Sequence, residues 1–322
     1  MLALGPFRFN VALVGCLCLL GVALSSAADS SLFSLPGDLQ RWADRSVAAA
    51  LKMDYADSYR ESERIRAKNS GVACVLRNIS RLSEFDDVGD TLALQKAEKE
   101  LSECSASGAW DVLREFELGY AKTALGKSFK GAMDTRRAAK KFEDSKDRDA
   151  RAFYSIYAYY VEDGLSFLPF VSDDRESHLQ ILEERAMHSR LFWPLFATPL
   201  AWMFYDREEY GKALDVVNKA LSKAPENAVF WQMKADMLYK QKEYAAASEI
   251  YEKSARDYLI RTGKSVRYFC AIGNLARIYQ DAGRLEEARR NAEMFNSPEY
   301  RKIEKWMPAS LVKDLKKKNL YP

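Results

Sequence analysis

Residue types that carry out chemistry are scarce in this chain of 322 residues, which has only two histidines. His178 and His188 lie ten residues apart, so they do not share one helix face at the spacing of metal ligands. No cysteine or carboxylate completes a metal site beside them, no serine or cysteine has an oriented base, and no glycine-rich phosphate loop is present. The sequence therefore predicts no catalytic residue, no metal and no cofactor, and indicates a protein that is not an enzyme.

Glycine and proline are also sparse, at 15 and 9 residues, and no long stretch alternates apolar with polar residues. Both features favour an all-helical chain. An excess of one charge is missing too, because 49 Lys+Arg against 46 Asp+Glu leaves a net charge of +3, which predicts no nucleic-acid partner. The one basic run, Lys316-Lys317-Lys318, is typical of a helix C-terminus, with contact to a membrane surface as the alternative.

The first segment of the chain, residues 1–28, has the features of a secretory signal peptide. Arg8 precedes an apolar run over 11–24, and small residues at 25–28 provide a cleavage site before a polar start. A retained membrane anchor is less favoured, because the run is shorter than the ~20 residues that span a bilayer. Residues 13–16 also resemble a bacterial lipoprotein box, which would place a lipid on Cys16. We therefore expect an exported protein, periplasmic or associated with the cell envelope, with lipid anchoring through Cys16 as the alternative.

Three cysteines remain after the leader, which are too few for a disulfide scaffold. Cys74 and Cys104 are the pair that could form a bridge in an oxidising compartment, although all three could equally be small buried hydrophobic residues. Cys270 lies in a predicted helix, where burial is expected.

Helical patterns account for most of the region before residue 190. One charged helix is predicted over 39–66, and a short helix over 72–82 is followed by an acidic loop at 83–90. That loop lacks the ligand alternation of a calcium site, so we interpret it as a solvated turn. Further helices are predicted over 91–104, 110–125, 129–142, 149–167 and 173–188. The helix over 149–167 is unusually aromatic, which predicts burial on several sides.

Three helix-turn-helix repeats of about 34 residues follow between residues 194 and 296. In the clearest repeat, large residues stand where helices cross and alanines stand where they touch: Trp231, Ala235, Tyr239, Tyr244, Ala247 and Tyr251. The third repeat starts late, which predicts that an insertion near 257–264 lengthens the preceding helix. Two short helices after residue 297 are expected to cap the array.

This spacing resembles the tetratricopeptide repeat (TPR) family. The resemblance implies an all-α fold of helix-turn-helix repeats in a right-handed superhelix, whose first helices line a concave face that receives protein segments. The residues placed there by repeat position are Thr198, Trp202, Tyr205, Gln232, Asp236, Tyr239, Arg277 and Gln280. The family's clamp for a terminal carboxylate is absent, because Thr198 and Trp202 occupy positions where that clamp has other residues.

The sequence thus predicts four segments: a signal peptide at 1–28, a helical region with degenerate TPR-like repeats at 29–190, three TPR repeats at 191–296 and capping helices at 297–322. The resemblance implies a non-enzymatic scaffold of the cell envelope that binds a protein or peptide on its concave face. Membrane proximity would come through an envelope complex. The alternative is a small-molecule or lipid carrier that uses the aromatic region 153–170.

Overall fold

The computed structural model describes residues 31–165 and 173–321, and within these ranges every regular element is helical. The predicted leader therefore lies outside the described residues, as does the end of the aromatic segment. Among the described residues, no helix has the length and apolar character needed to span a bilayer.

Eight helices precede the predicted repeats. They are α1 (Gly37–Leu51), α2 (Tyr55–Arg66), α3 (Ser70–Val88), α4 (Thr91–Glu103), α5 (Ala109–Ala124), α6 (Ser128–Lys140), α7 (Arg148–Leu165) and α8 (Arg175–His188).

The remaining helices include the predicted repeats and cap. They are α9 (Pro194–Asp206), α10 (Tyr210–Lys223), α11 (Ala228–Lys240), α12 (Tyr244–Arg261), α13 (Val266–Asp281), α14 (Leu285–Ala292), α15 (Pro298–Ile303) and α16 (Ala309–Lys317). Short 3-10 segments, Glu293–Asn296 and Glu304–Trp306, flank α15. Consecutive helices pack as pairs, which confirms the predicted all-α, TPR-like repeat fold.

The chain forms two compact units. The first unit comprises the described residues up to Ser83 together with Thr91–Met203, and the second comprises Glu84–Asp90 and Phe204–Pro322. One boundary between the units therefore runs through α9. The predicted division of the chain into degenerate repeats, clear repeats and cap stays a prediction.

Two of the helix boundaries predicted before the repeats are wrong. The single helix expected over 39–66 is two helices, because the chain turns at Met53, whose φ is 61°. The acidic loop expected at 83–90 is the last turn of α3, which continues to Val88 and ends at Gly89 with φ of 82°. Asp87 in that turn is buried and accepts a hydrogen bond from Nε of Arg267 at 3.1 Å. An ion pair within the second unit therefore explains this acidic segment.

The first unit is held together by aromatic packing and by one covalent bond. Phe33 makes edge-on contacts with Trp110, Phe142, Phe153 and Phe192, with ring centroids 4.8–6.1 Å apart. These rings are all buried. In the helix predicted over 149–167, Phe153 and Tyr159 are buried, whereas Tyr154, Tyr157 and Tyr160 are partly exposed.

Cys74 and Cys104 form a disulfide that joins α3 to the residue after α4. The bridge suggested by the sequence is therefore present, and the third cysteine, Cys270, is free and buried as expected. Burial raises the pKa of the Cys270 thiol to about 12, so this thiol has little nucleophilic character.

The turns and the closest helix contacts of the repeats in the second unit lie where the sequence predicts them. The turns between paired helices need a left-handed residue, and Glu208, Lys242 and Gly283 supply it with φ of 62°, 66° and 76°. The alanines at the closest helix contacts are fully buried: Ala213, Ala235, Ala247 and Ala288. The insertion before the third repeat lengthens α12 to 18 residues, compared with 14 in α10.

Trp231 does not fill the core of the second repeat. It is only partly buried, its indole Nε1 donates a hydrogen bond to the carbonyl of Pro225 at 2.8 Å, and the ammonium groups of Lys234 and Lys253 lie 5.3 Å from its ring. The prediction that Trp231 packs between repeats is therefore wrong, because the ring covers the preceding loop. Tyr251 and Tyr258 are the fully buried aromatic residues of this repeat, and Phe230 exposes only 3% of its surface.

Candidate functional site

The residues predicted for the concave face differ in how much surface they expose. Thr198 and Gln232 are buried, with 7% and 4% of their surface exposed, and this burial weighs against direct contact with a partner. The other six are partly exposed: Trp202, Tyr205, Asp236, Tyr239, Arg277 and Gln280. Thr198 and Trp202 belong to the first unit and the other residues to the second, so the site described below is confined to the second unit.

Arg277 lies at the centre of a polar cluster. Its guanidinium stacks 4.2 Å from the ring centroid of Tyr239, and its Nη2 lies 3.6 Å from Oδ1 of Asp236. Asp236 and Arg277 occupy the same repeat position on successive first helices, α11 and α13. The repeat register alone therefore brings their opposite charges together.

The cluster extends to α12 and to the C-terminal helix α16. Tyr251 bonds to Asp236 and accepts a hydrogen bond from Nδ2 of Asn274 at 2.8 Å. On the other side, Nη1 of Arg277 lies 3.4 Å from Oδ2 of Asp314 in α16. We call Asp236, Tyr239, Tyr251, Arg277 and Asp314 the Arg277 cluster.

Burial and charge act against each other in the Arg277 cluster. Burial raises the pKa of Asp236, and the charge of Arg277 opposes that rise. Burial also works against the charged form of Arg277, but Asp236 and the neighbouring tyrosines outweigh it and raise the pKa of the guanidinium. Arg277 is therefore a permanent cation with little exposed surface, which explains why several groups surround it.

Helix α16 packs on the first helix of the third repeat. A Cβ at Gly273 would lie 3.2 Å from Leu311, Leu315 and Phe295, which is closer than ordinary van der Waals contact, so the helices approach closely here. Lys318, just beyond α16, pairs with Asp281. The sequence predicted α16 as a cap but did not predict that Asp314 contacts Arg277. The sequence shows at this position only an acidic residue between Leu311 and Leu315, and this pattern does not indicate a partner.

Partly exposed tyrosines, and one exposed leucine, flank the turns between the paired helices of the repeats. Tyr205 and Tyr210 stand at the two sides of the first repeat turn with ring centroids 5.4 Å apart, and Tyr239 and Tyr244 stand in the same way in the second repeat at 5.9 Å. Leu285, at the position of Tyr244 in the third repeat, exposes 46% of its surface. We call these five residues the tyrosine strip.

The strip also carries positive charge. The ammonium of Lys240 lies 5.2 Å from the ring of Tyr205 and 5.8 Å from that of Tyr210. Burial and the nearby Asp236 raise the pKa of Tyr205, so its phenol stays neutral and can donate a hydrogen bond. Partly exposed tyrosines with a lysine above them have the composition of a protein-binding surface.

Two further polar side chains, His178 and Asn78, have structural partners. His178 is buried, with Nδ1 3.2 Å from Oγ of Ser155 and Nε2 3.4 Å from Oε1 of Glu162. Asn78, in a possible glycosylation triplet, is fully buried and donates to the carbonyl of Cys74 at 2.8 Å. Within 31–165 and 173–321, no group of histidine, cysteine and carboxylate residues could hold a metal ion.

The aromatic region 153–170 is only partly within the described residues, which stop at Leu165 and resume at 173. Phe153, Ile156 and Tyr159 on α7 are buried in the core of the first unit. A cavity of about 40 Å³ borders Phe153 and Ile156. It is much smaller than the ~300–1,000 Å³ typical of ligand pockets, so this described part of the region offers no room for a lipid.

Comparisons with known proteins support the fold and extend no further. No protein-family model matches the chain, and no curated protein matches its sequence. Among solved structures, the chain is similar to a Rap protein in complex with competence and sporulation factor, with a TM-score of 0.53 over 88% of this chain and 86% of that chain. Sequence identity is 13%, so the similarity shows a shared helical-repeat fold.

Proposed function

We propose that this protein is a non-enzymatic scaffold that binds a segment of a partner protein along the tyrosine strip of the second unit. The observation that carries the proposal is the repeated pair of partly exposed tyrosines, Tyr205 with Tyr210 and Tyr239 with Tyr244, at equivalent positions of two repeats. Tyrosine supplies a large contact area together with a hydrogen-bonding hydroxyl, so it is enriched at binding surfaces. The fold relative, a Rap protein solved with a bound factor, supports a binding role for such an array.

The proposed contact surface is narrower than the concave face implied by the sequence. Arg277 pairs with Asp236 and Asp314, and α16 covers the third repeat at Gly273. These groups are engaged within the chain, so we assign the partner to the tyrosine strip and to the neighbouring Gln280. Tyr239 belongs to both sets: its hydroxyl donates a hydrogen bond to Oδ2 of Asp281 at 2.6 Å and its ring stacks on Arg277, so it offers a partner only the partly exposed part of its ring. The Arg277 cluster then holds the first helices of the second and third repeats in register beneath that surface.

A photo-crosslinking amino acid at Tyr244 tests this assignment in the native host. The matched control places the same amino acid at Arg289, which is exposed on α14, the second helix of the third repeat. We expect a discrete protein adduct from position 244 that is absent from position 289. Changing Tyr205 and Tyr210 to alanine should remove the adduct while leaving the fold intact. Equal adducts from both positions, or no adduct at 244, would contradict the proposal.

We also propose that the protein works outside the cytoplasm, associated with the cell envelope. The Cys74–Cys104 disulfide supports this location, because disulfides persist mainly in oxidising compartments. N-terminal sequencing of the mature protein tests the leader: a start at Asp29 supports cleavage after residue 28, and a lipid-modified Cys16 supports the anchored alternative. An unprocessed Met1 in the cytoplasmic fraction would overturn export.

A further inference from the structure

A small cavity inside the first unit contains a carboxylic acid. The cavity measures about 40 Å³ and lies between α3, α5, α7 and the first turn of α9. Leucine and isoleucine side chains form much of its wall, and three aromatic residues complete it: Phe116, Tyr120 and Phe153. Glu117 and Ser83 are the other polar residues that line it besides Tyr120.

Glu117 is buried without a hydrogen-bond partner. Only 6% of the residue is exposed, and neither carboxyl oxygen has a partner among the described residues. Arg114, one turn earlier on α5, is the cation that acts on this carboxyl. However, its Nε donates to Oδ1 of Asp111 and its Nη1 donates to the carbonyl of Leu101, each at 2.7 Å. The guanidinium is therefore engaged elsewhere.

An unpaired buried carboxyl destabilises a fold. Burying a polar group without a hydrogen bond is unfavourable, and burying an ionised group is more so. A leucine at position 117 would suit the apolar wall better. A functional ligand that pairs with the carboxyl gives a physical reason for keeping the acid.

The wall around Glu117 indicates the chemical class of that ligand. Aromatic ring faces attract cations through the ring quadrupole, and Phe116 and Phe153 lie together with centroids 6.2 Å apart. A carboxylate in an apolar cavity that three aromatic residues help to line is the complement of a small organic ammonium group. We propose that this cavity binds the head group of a small organic ammonium ion, with Glu117 as its anionic partner and Phe116, Tyr120 and Phe153 as its walls.

The size of the cavity limits the ligand. A volume of about 40 Å³ holds a few water molecules, since one water needs roughly 10–15 Å³ by this measure. It also accommodates a primary ammonium with a short branched alkyl group, but not a lipid. The site is separate from the tyrosine strip, which belongs to the second unit, so the two proposals stand or fall independently.

Binding of a cation is linked to the ionisation of Glu117. Burial raises the pKa of this carboxyl well above its usual value, and the charge of Arg114 only partly offsets that effect. Arg114 and Tyr120 are the titratable groups near it on α5, while the lining residues from α3, α7 and α9 are apolar side chains and one serine. A cation stabilises the carboxylate, so its binding releases a proton and its affinity rises with pH.

Titration calorimetry with isobutylamine on the full-length protein tests the site between pH 5.5 and 8.5, where the amine stays protonated. Isobutanol serves as the neutral probe of similar shape. Glu117→Gln removes the charge, and Glu115→Gln is the matched control on the same helix, because Glu115 accepts a bond from Nζ of Lys141 at 2.8 Å and does not line the cavity.

We expect one amine per chain, proton release on binding, and an affinity that increases with pH. Glu117→Gln and the use of isobutanol should each weaken binding roughly tenfold or more, since a charge-assisted bond contributes about 1.5–3 kcal/mol. Glu115→Gln should bind as the wild type does. Equal affinity for isobutanol, unchanged binding by Glu117→Gln, or no binding of the amine by the wild type would overturn the proposal.

A measurement on the wild-type protein avoids any variant that misfolds, because it follows the ionisation of Glu117 directly. The carboxyl carbon of Glu117, followed by NMR in wild-type protein labelled with ¹³C-glutamate, should move to the position of an ionised carboxylate when isobutylamine is added at constant pH. A protonated signal that stays in place at saturating amine would indicate that the cavity holds water only, and would refute the ion pair.

Discussion

In the second unit the buried carboxyl of Asp236 faces the guanidinium of Arg277, whereas in the first unit the buried carboxyl of Glu117 has no partner among the described residues. Both acids lie on the first helix of a helix pair. The repeat register of the second unit places an opposite charge on the next first helix. The first unit surrounds its acid with apolar and aromatic side chains. The same architecture thus contains one carboxyl that fixes helix register and one that is left unsatisfied.

The largest expected effect comes from breaking the pair in the second unit. Arg277→Met keeps an unbranched apolar stem at this position but leaves Asp236 without its cation. We expect a loss of ~3–5 kcal/mol in the free energy of unfolding, the usual cost of removing one partner of a buried ion pair. Urea unfolding followed by circular dichroism measures it.

Two further variants separate the ion pair from surface charge. Arg289→Met removes an arginine that is 68% exposed and pairs with Glu286 on the surface, so it should change stability by less than ~0.5 kcal/mol. Adding Asp236→Asn to Arg277→Met should recover part of the loss, because the uncompensated charge is then gone. Equal losses from Arg277→Met and Arg289→Met would show that the cluster does not hold the repeats in register.

The disulfide of the first unit has no counterpart among the described residues of the second. Replacing Cys74 and Cys104 by alanine should cost ~2–4 kcal/mol, as expected for a bridge that closes a loop of this length, since the two cysteines are 30 residues apart. The midpoint of urea unfolding with and without reductant measures the effect. Reductant should lower the midpoint of the wild type to that of the variant and leave the variant unchanged; a variant that reductant still destabilises would contradict this origin.

A smaller effect is expected at Trp231 in the second unit. A fully buried indole would cost ~3–5 kcal/mol on truncation, but this ring is partly exposed and bonds to the carbonyl of Pro225. We therefore expect ~1–2 kcal/mol for Trp231→Ala, from one hydrogen bond and partial apolar burial. Tyr251→Ala, at a fully buried aromatic of the same repeat, is the control and should cost clearly more. Equal losses of stability for Trp231→Ala and Tyr251→Ala would show that the indole of Trp231 is buried in the core.

The contrast between the units also shows what sequence reasoning can reach. Periodicity and alanine spacing predicted the repeat turns of the second unit, because each repeat is a local unit that closes on itself. The same reasoning failed at Met53 and at 83–90, where the chain course depends on contacts remote in sequence. For example, Asp87 in the last turn of α3 pairs with Arg267, which lies 180 positions later in the sequence.

The candidate site was predictable only in part, for a related reason. Repeat position correctly placed Asp236, Tyr239 and Arg277 near one another. It could not show that Asp314 reaches the same arginine, since that contact depends on how α16 packs at Gly273. Burial of Thr198 and Gln232 and the unpaired state of Glu117 are likewise properties of packing, and no local pattern reports them.

The pH dependence of stability sharpens the comparison at the smallest scale. Burial raises the pKa of Glu117 in the folded state, so above the ordinary glutamate pKa the unfolded chain gives up this proton while the folded chain keeps it. This residue therefore makes stability fall as pH rises from about 4.5 toward its folded pKa, with a slope of at most ~1.4 kcal/mol per pH unit. Glu100 in the same unit acts in the opposite sense at acidic pH, because Arg81, Arg77 and Arg66 outweigh burial and lower its pKa.

Glu117→Gln should abolish the fall in stability that accompanies a rise in pH above about 4.5. It should leave unchanged the fall in stability at acidic pH that comes from Glu100. Glu115→Gln should retain both effects. Urea unfolding of the three proteins at intervals between pH 3 and 9 measures the slopes. Because a glutamine side chain stays neutral at every pH, the Glu117→Gln variant should match the wild type near pH 4 and exceed its stability increasingly above that. If the stability of the wild type and of Glu117→Gln changed with pH in the same way, the Glu117 carboxyl would have a partner or contact with solvent. The charged form of Glu117 in the first unit would then be stabilised, as Arg277 stabilises that of Asp236 in the second unit.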